Sequence, residues 1–167
     1  MRALLQRVRG ASVWVGRRPI GAINRGLVVF LAVGRGDTLE DVEYISDKVT
    51  HLRLFSNEHA TFQESAIHCG ASILLISQFT LYANSRKGRR PSFVEAARPE
   101  EAIVLFEKTL NSLQQRGLDV QTGEFGEEML VEIRNDGPVT IWLDSNDRFR
   151  NCRSTQEPDS DSAKRGE

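Results

Sequence analysis

The chain has 167 residues, of which 40% are hydrophobic and 27% are charged. This composition suits one globular domain with a sizeable core, and it favours neither an intrinsically disordered chain nor a membrane protein. The formal net charge is −1 at pH 7, so the protein is not a globally basic nucleic-acid binder, and contact with RNA would depend on local clusters of charge.

The amino-terminal segment does not have the pattern of a signal peptide, because Gln6, Arg7 and Arg9 interrupt its apolar residues. The longest apolar run, residues 26–34, is too short to cross a membrane. The two cysteines, Cys69 and Cys152, have no metal-binding spacing. We therefore expect a cytoplasmic protein with free thiols and no membrane contact.

The first half of the chain predicts strands, then a helix. Alternating apolar and polar residues predict strands at 2–9, 11–15 and 20–23, and the apolar run at 27–33 predicts a strand buried on both faces. A helix follows Thr38, with Asp41 completing a capping box. Its apolar face has four residues at helical spacing, namely Val42, Ile45, Val49 and Leu52. Residues 56–70 show no period and predict a loop.

The second half repeats this order. Residues 73–76 predict a buried strand that runs into 77–82, and a second helix begins with Pro99 and ends before Gly117. Its apolar stripe is Ile103, Phe106, Leu110 and Leu113, and the strands predicted after it are 118–122, 129–134 and 139–143. We expect one α/β (α+β) domain over residues 1–144, with two main helices on a mixed, mostly antiparallel sheet or barrel. Residues 145–167 are polar and charged and predict a disordered tail.

Most familiar catalytic patterns are absent from the sequence. His51, His59 and His68 lack the spacing of metal ligands, and no GxSxG elbow, phosphate-binding P-loop or GxGxxG fingerprint occurs. The acidic residues are spread along both predicted helices and the tail, so no catalytic pair of carboxylates stands out. We expect neither a metal nor a cofactor.

One segment that could carry chemistry is Ser77-Gln78-Phe79-Thr80. It follows a buried strand directly, and the carboxyl ends of strands in α/β sheets are common ligand sites. The alternative is an ordinary polar strand end, in which Ser77 and Thr80 bond to the backbone.

A second segment is Asn135-Asp136-Gly137-Pro138. Asp-Gly between two strands is typical of a tight hairpin, but Pro138 cannot donate a ladder hydrogen bond. If the Gly137–Pro138 bond were cis, its two carbonyls would point the same way and form an acceptor pair. An ordinary trans turn is the more frequent alternative.

A third segment is a basic cluster between Tyr82 and Phe93, comprising Arg86, Lys87, Arg89 and Arg90. Arginine and lysine beside aromatic rings suit phosphates and stacked bases. The alternative is solvated surface charge.

Taken together, these segments resemble the D-aminoacyl-tRNA deacylase (D-Tyr-tRNA deacylase) family. The stretches Ser77–Tyr82 and Asn135–Thr140 are similar to its two signature motifs, and the resemblance extends to Gln6–Val8, Arg86–Phe93 and Thr122–Gly126. It covers Met1 to about Ser145. The residues at 60–65 depart from it, since Phe62 stands where the family would have methionine or an aliphatic residue, although Ser65 fits.

The resemblance implies a homodimer with active sites at the interface, which hydrolyses the ester between a D-amino acid and the 3′ end of tRNA. It also implies that Gly137–Pro138 is cis and enters the partner's pocket as a chiral filter, and that Arg7 supports this dipeptide. By the same resemblance, the catalytic segment is Ser77–Thr80. The sequence shows no base for the Thr80 hydroxyl. We therefore favour a positioning role for Thr80 over a role as the nucleophile.

In this interpretation, backbone N–H groups near Phe79 and Thr80 hold the ester carbonyl, and Ser77 and Gln78 fix the terminal nucleotide. The basic cluster binds tRNA. Two other functions stay open, a non-catalytic RNA-binding module and a general esterase. The preferred D-amino acid and tRNA, and the role of the tail, are not determined by the sequence.

Overall fold

The computed structural model describes residues 1–58 and 60–149. Their eight strands, in chain order, are β1 (Arg2–Val15), β2 (Arg18–Ile23), β3 (Gly26–Ala32), β4 (Arg53–Phe55), β5 (Glu64–Ser65), β6 (Ser72–Ser77), β7 (Val120–Thr122) and β8 (Met129–Asp144). The two α-helices are α1 (Leu39–His51) and α2 (Pro99–Gln115), and two 3₁₀-helices cover Phe79–Tyr82 and Ser145–Phe149. The predicted fold class, one mixed α/β domain with two main helices, is confirmed.

Six strands form one sheet in the order β2-β1-β3-β6-β7, with β8 paired to β1. β1 is antiparallel to β2, β3 and β8, whereas β3, β6 and β7 run parallel. The first half of β1 pairs with β3 and its second half with β2, so the sheet curls around a shift in register near Val8. This curl makes the sheet barrel-like and divides the core into two.

The two parts of the core lie on opposite faces of β3. Leu27 and Val29 belong to a cluster that the apolar faces of α1 and α2 cover. Val28 belongs to the other cluster, inside the curl, with Leu74 and Ile76 of β6. Since β3 is buried on both faces, the prediction from its continuous apolar run is confirmed.

Two predicted breaks in strands are wrong. Residues 2–9 and 11–15 form the single strand β1, and residues 129–134 and 139–143 form the single strand β8. Asn135–Pro138 is therefore an irregular stretch within a strand and not a hairpin turn. The physical reason is that β8 pairs with β1 on both sides of it, from Arg2↔Asp144 to Val15↔Met129, and register shifts absorb the irregularity.

The helix signals are confirmed in most respects. Thr38 caps α1, with the reciprocal contact from Asp41 that defines a capping box, and Pro99 is at the start of α2. Gly117 follows α2 with φ +89°, the left-handed backbone conformation that is common in the residue after a helix. Ile103 is 36% exposed, so the predicted stripe of α2 is wrong at that position. The predicted loop at 56–70 includes β5, which pairs with β4.

The predicted disordered tail is wrong for its first five residues. Ser145–Phe149 form a 3₁₀-helix that packs against the amino terminus, where Ser145 N–H donates to the Met1 carbonyl at 2.8 Å. Arg148 pairs with Asp41 of α1. Burial alone would raise the pKa of Asp41, but hydrogen bonds from Arg148 and Ser145 hold it well below its usual range. The rest of the predicted tail, from residue 150 onward, lies outside the described residues.

Candidate functional site

A cavity of about 690 Å³ opens at the carboxyl end of β6. The ends of β3 and β6 form one side, the start of α2 another, and the segment before β8 a third. Its walls are mainly apolar and include the rings of Phe79, Phe93, Phe106 and Phe125. An apolar cleft with few polar groups at a strand end is typical of a small-molecule or cofactor site.

Three residues of the predicted catalytic segment line this cavity. Ser77 is the last residue of β6 and pairs with Leu31, and Gln78 and Phe79 follow it along the wall. Thr80 is exposed and is not among the lining residues, but the Gln78 side-chain amide donates to its hydroxyl. The structure thus brings Ser77, Gln78 and Phe79 to the cavity and leaves Thr80 beside it.

The backbone at this point offers hydrogen-bond donors. The Gln78 N–H is used, since it donates to the Leu31 carbonyl at 2.8 Å. In the 3₁₀-helix that follows, the first N–H with an acceptor is that of Leu81, which donates to Gln78 O at 3.2 Å. Within residues 1–58 and 60–149 we find no acceptor for the N–H groups of Phe79 and Thr80. A helix start leaves such donors free to bind an oxyanion.

The Phe79 ring stands at the mouth of the cavity. It is 58% exposed and contacts Phe93 edge to face, with ring centroids 5.1 Å apart. Phe93 comes from the long connection between the first 3₁₀-helix and α2. The exposed ring of Phe79, supported by the half-buried ring of Phe93, provides a surface on which a flat group can stack.

The second predicted motif projects from β8. Gly137 and Pro138 are exposed, and the peptide bond between them is cis, as the resemblance implied. A side chain at Gly137 would lie 2.3 Å from Asn135 Oδ1, while Asn135 Nδ2 donates to the Arg7 carbonyl at 3.0 Å. Only glycine fits at this position while Asn135 keeps its contact.

Arg7 holds the backbone immediately before this dipeptide. Its Nε donates to Asp136 O at 3.1 Å, and its Nη1 donates to Leu54 O at 2.6 Å. The Asp136 carboxylate pairs with both Arg7 and Arg9, and the hydrogen bond from Arg9 lowers the pKa of Asp136. Asp136 cannot be identified as a partner of Arg7 from the sequence, because only the strand pairing brings it beside Arg7.

The two motifs do not meet within one chain. Arg7, beside the dipeptide, pairs with Leu27 of β3, whereas Ser77 pairs with Leu31. Four residues along a strand correspond to roughly 13 Å, and strands β1 and β3 lie between β8 and β6. Neither Gly137 nor Pro138 lines the cavity of its own chain.

The basic cluster lies in the same connection as Phe93. Arg86, Lys87, Arg89 and Arg90 are all exposed, and an isolated bridge between Asn84 and Ser92 closes the base of this loop. Across the described part of the chain, no acidic side chain forms an ion pair with any of the four. Unpaired cations close to the cavity suit an anionic chain such as a nucleic-acid backbone.

The described residues contain no group of three metal-binding side chains. His51 contacts Asp47 on the surface of α1, and His59 lies outside the described residues. Cys69 is a free thiol, and Cys152 also lies outside the described residues. No helix among the described residues has the length and apolar character needed to cross a membrane.

The cavity also has residues that the sequence analysis did not select. Arg35 follows β3, Arg98 precedes α2, and Glu127 lies before β8. The sequence has no signal that marks Arg35 or Arg98, since each is one arginine among many. Their common location results from the packing of three segments that are distant in sequence.

A model of the family described as D-Tyr-tRNA(Tyr) deacylase matches residues 4–144. A protein from Clostridium botulinum (strain Alaska E43 / Type E3), named D-aminoacyl-tRNA deacylase, is 50% identical over 149 residues, which is 89% of this chain and 100% of that protein. A protein of the same name from Geobacillus sp. (strain WCH70) is 44% identical over 151 residues, covering 90% of this chain and 99% of its own.

Two solved structures are similar. One, described as c-Myc DNA Unwinding Element Binding Protein, has a TM-score of 0.81 and 38% identity, with 86% of this chain and 98% of that chain covered. The other, described as a probable eukaryotic D-amino acid tRNA deacylase, has a TM-score of 0.74 and 18% identity, covering 85% of this chain and 97% of its own. At that identity the second likeness supports the fold alone.

Proposed function

This chain belongs to the D-Tyr-tRNA(Tyr) deacylase family, and we propose that the cavity at the end of β6 is where its substrate ester is cleaved. The chain is a D-aminoacyl-tRNA deacylase, an enzyme that hydrolyses the ester between a D-amino acid and tRNA. The observation that carries the site assignment is the pair of N–H groups, of Phe79 and Thr80, without acceptors beside that cavity. Because its substrates are tRNAs, we also propose that the enzyme acts in the cytoplasm.

The chemistry requires an attacking water and stabilisation of the oxyanion that forms when water adds to the ester carbonyl. The N–H groups of Phe79 and Thr80 would bind that oxyanion. The cavity's apolar walls on one side of these groups lower the local polarity, which strengthens such hydrogen bonds. Neither a metal nor a cofactor is needed in this scheme.

The polar side chains of the segment have positioning roles in this proposal. Ser77 and Gln78 fix the terminal nucleotide, and the 2′-OH of its ribose orients or activates the attacking water. The partner of the Thr80 hydroxyl is the side-chain amide of Gln78, which is not a base. A hydroxyl without a base is a poor nucleophile near pH 7, so Thr80 orients Gln78.

We therefore expect Thr80→Val to retain catalysis with a loss of about tenfold or less, the size of one uncharged hydrogen bond. Rapid mixing of the variant and of the wild type with D-Tyr-tRNA, followed by acid quench and intact-mass measurement, would look for a covalent intermediate. The matched control is Thr61→Val, in an exposed loop. A tyrosyl adduct on Thr80 of the wild type, or complete inactivity of folded Thr80→Val, would reverse the assignment.

The chiral filter is proposed to act between two copies of the chain. The carbonyls of Gly137 and Pro138 from one subunit would bind the substrate's α-ammonium in the other subunit's cavity, and their backbone would occupy the space of an L side chain. Three features support this: the dipeptide is exposed, Arg7 braces the residue before it, and it is remote from its own cavity.

An apolar strip on the sheet also supports a homodimer. Leu4 pairs with Trp142 on one side and with Phe30 on the other, so the three side chains form a row across β8, β1 and β3. Trp142 is 47% exposed and Arg2 lies near its ring, with 5.8 Å between the guanidinium carbon and the ring centroid. A second copy that covers this row would remove it from water.

The rest of the tRNA would contact the basic cluster. Arg86, Lys87, Arg89 and Arg90 lie in the connection that also supplies Phe93 to the cavity wall, so phosphates near the 3′ end could reach both. Such contacts are largely independent of base sequence.

The test is ester loss from D-Tyr-tRNA, L-Tyr-tRNA and Gly-tRNA, each with and without EDTA. We expect turnover of D-Tyr-tRNA, rejection of L-Tyr-tRNA, and cleavage of Gly-tRNA, because glycine has no side chain for the filter to reject. EDTA should change none of the rates. Inertness toward Gly-tRNA would contradict a filter made of backbone alone.

Other outcomes would favour the other functions. Equal turnover of D- and L-Tyr-tRNA would indicate a general esterase. Binding of tRNA without turnover would indicate a nucleic-acid-binding module, an alternative that the unpaired basic cluster also fits and that the name of one structural relative makes worth testing.

A further inference from the structure

Two arginines outside the signature motifs line the cavity. Arg35 follows the end of β3, and Arg98 is the N-cap residue of α2, where its side chain makes no capping hydrogen bond. Both are exposed, and among residues 1–58 and 60–149 neither forms an ion pair with a carboxylate. Both arginines therefore line one cleft without an ion pair, and Arg35 also borders a second cavity, which the acidic residues Asp37, Glu40, Asp41 and Glu95 line.

The backbone holds the two arginines in a fixed relation. Arg35 N–H donates to Glu95 O at 2.9 Å, and Ala97 N–H donates to Val33 O at 3.0 Å, so the segments that carry Arg35 and Arg98 are joined. The Arg35 Nε also donates to Ala96 O at 3.4 Å. This contact orients the guanidinium and leaves its two terminal nitrogens free to bind a ligand.

The charge of the cavity favours an anion. Its charged lining residues in the described part of the chain are Arg35, Arg98 and Glu127, which leaves one net positive charge. The other walls are largely apolar, and a charge-assisted hydrogen bond is stronger beside apolar walls than in open water. The planar fork of arginine matches the oxygens of a phosphate.

We propose that Arg35 and Arg98 together bind the phosphate on the 5′ side of the tRNA's terminal nucleotide. The inference rests on the proposed cleavage site. Leu31 pairs with Ser77 at that site, and Arg35 lies four residues further on, roughly 13 Å along an extended chain. In this proposal the terminal nucleoside would span the distance between the ester and the phosphate.

The test uses two non-hydrolysable probes that differ only in the phosphate. Both are 3′-deoxy-3′-(D-tyrosylamino)adenosine, one with a 5′-phosphate and one without, and the measurement is the Kd of each by calorimetry. For the wild type, the 5′-phosphate should tighten binding about 10- to 100-fold. Arg35→Gln and Arg98→Gln should each lose most of that gain and bind the probe without phosphate as the wild type does.

The matched control is Arg17→Gln, in the exposed turn between β1 and β2, which should behave as the wild type with both probes. Thermal unfolding would confirm that each variant is folded. If Arg35→Gln does not fold, Arg98→Gln alone tests the proposal, because the Arg98 side chain makes no hydrogen bond in the structure.

Two results would overturn the inference: equal binding of the two probes by the wild type, or equal weakening of both probes in the variants. If the arginines bind the carboxylate of the released amino acid instead, D-tyrosine would inhibit the variants less than the wild type, and the probes would not differ. The proposed function fails separately, when the wild type does not cleave D-Tyr-tRNA. If the wild type cleaves D-Tyr-tRNA but binds both probes equally, the proposed function stands and only the role of the two arginines is rejected.

Discussion

Phe79→Pro is expected to lower kcat on D-Tyr-tRNA by about 10²–10³-fold relative to Phe79→Ala, the loss typical of one oxyanion donor. Proline has no N–H, so the variant removes one of the two proposed donors. The fold should tolerate it, because Phe79 is the first residue of a 3₁₀-helix and its N–H has no acceptor among the described residues.

Phe79→Ala is the matched control for this experiment. Both variants lose the ring that contacts Phe93, and only one of them loses the N–H. The ratio of their kcat values, from single-turnover assays, therefore isolates the backbone donor from the stacking surface. Similar rates for the two variants, with both folded as judged by circular dichroism, would mean that the Phe79 N–H does not stabilise the transition state.

Mixing two inactive chains is expected to restore activity. One chain carries Gly137→Ala, whose new Cβ would lie 2.3 Å from Asn135 Oδ1 and so displaces the filter, and the other carries Phe79→Pro. If each cavity receives the dipeptide of its neighbour, the heterodimer has one site with both defects and one intact site. Isolated through two affinity tags, it should have about half of the wild-type turnover per dimer.

The control heterodimer places both substitutions on one chain and pairs it with a wild-type chain. Each of its two sites then has one defect, so it should be nearly inactive although it has the same composition. A site that is complete within one subunit would give the reverse pattern, with activity in the control and none in the first mixture. Elution of the wild type as a monomer in size-exclusion chromatography with light scattering would also contradict the proposal.

The strand pairing explains why a second copy is needed in this scheme. The pairing of β8 with β1 on both sides of Gly137–Pro138 fixes this dipeptide beside Arg7, on the far side of two strands from Ser77. No loop movement within one chain can bring them together without breaking the sheet. The same pairing leaves the dipeptide exposed, where another subunit can receive it.

Local signals in the sequence were sufficient for several elements and for the family. The Thr38 and Asp41 pattern predicts the start of α1 because a helix cap depends on neighbours three residues apart. The apolar run of β3 predicts a strand buried on both faces because burial determines composition. Ser77–Thr80 and Asn135–Pro138 identify the family because their combination is specific, although nothing local shows how they are related in space.

Only the tertiary structure decided the continuity of β1 and β8, the position of Asp136 beside Arg7 and the presence of Arg35 and Arg98 at one cavity. The Asp136–Gly137 pair has the composition of a turn, and long-range pairing with β1 overrides that preference. The sequence does not indicate which cleft a charged side chain faces. That relation arises when the sheet curls and joins segments more than sixty residues apart, such as Arg35 and Arg98.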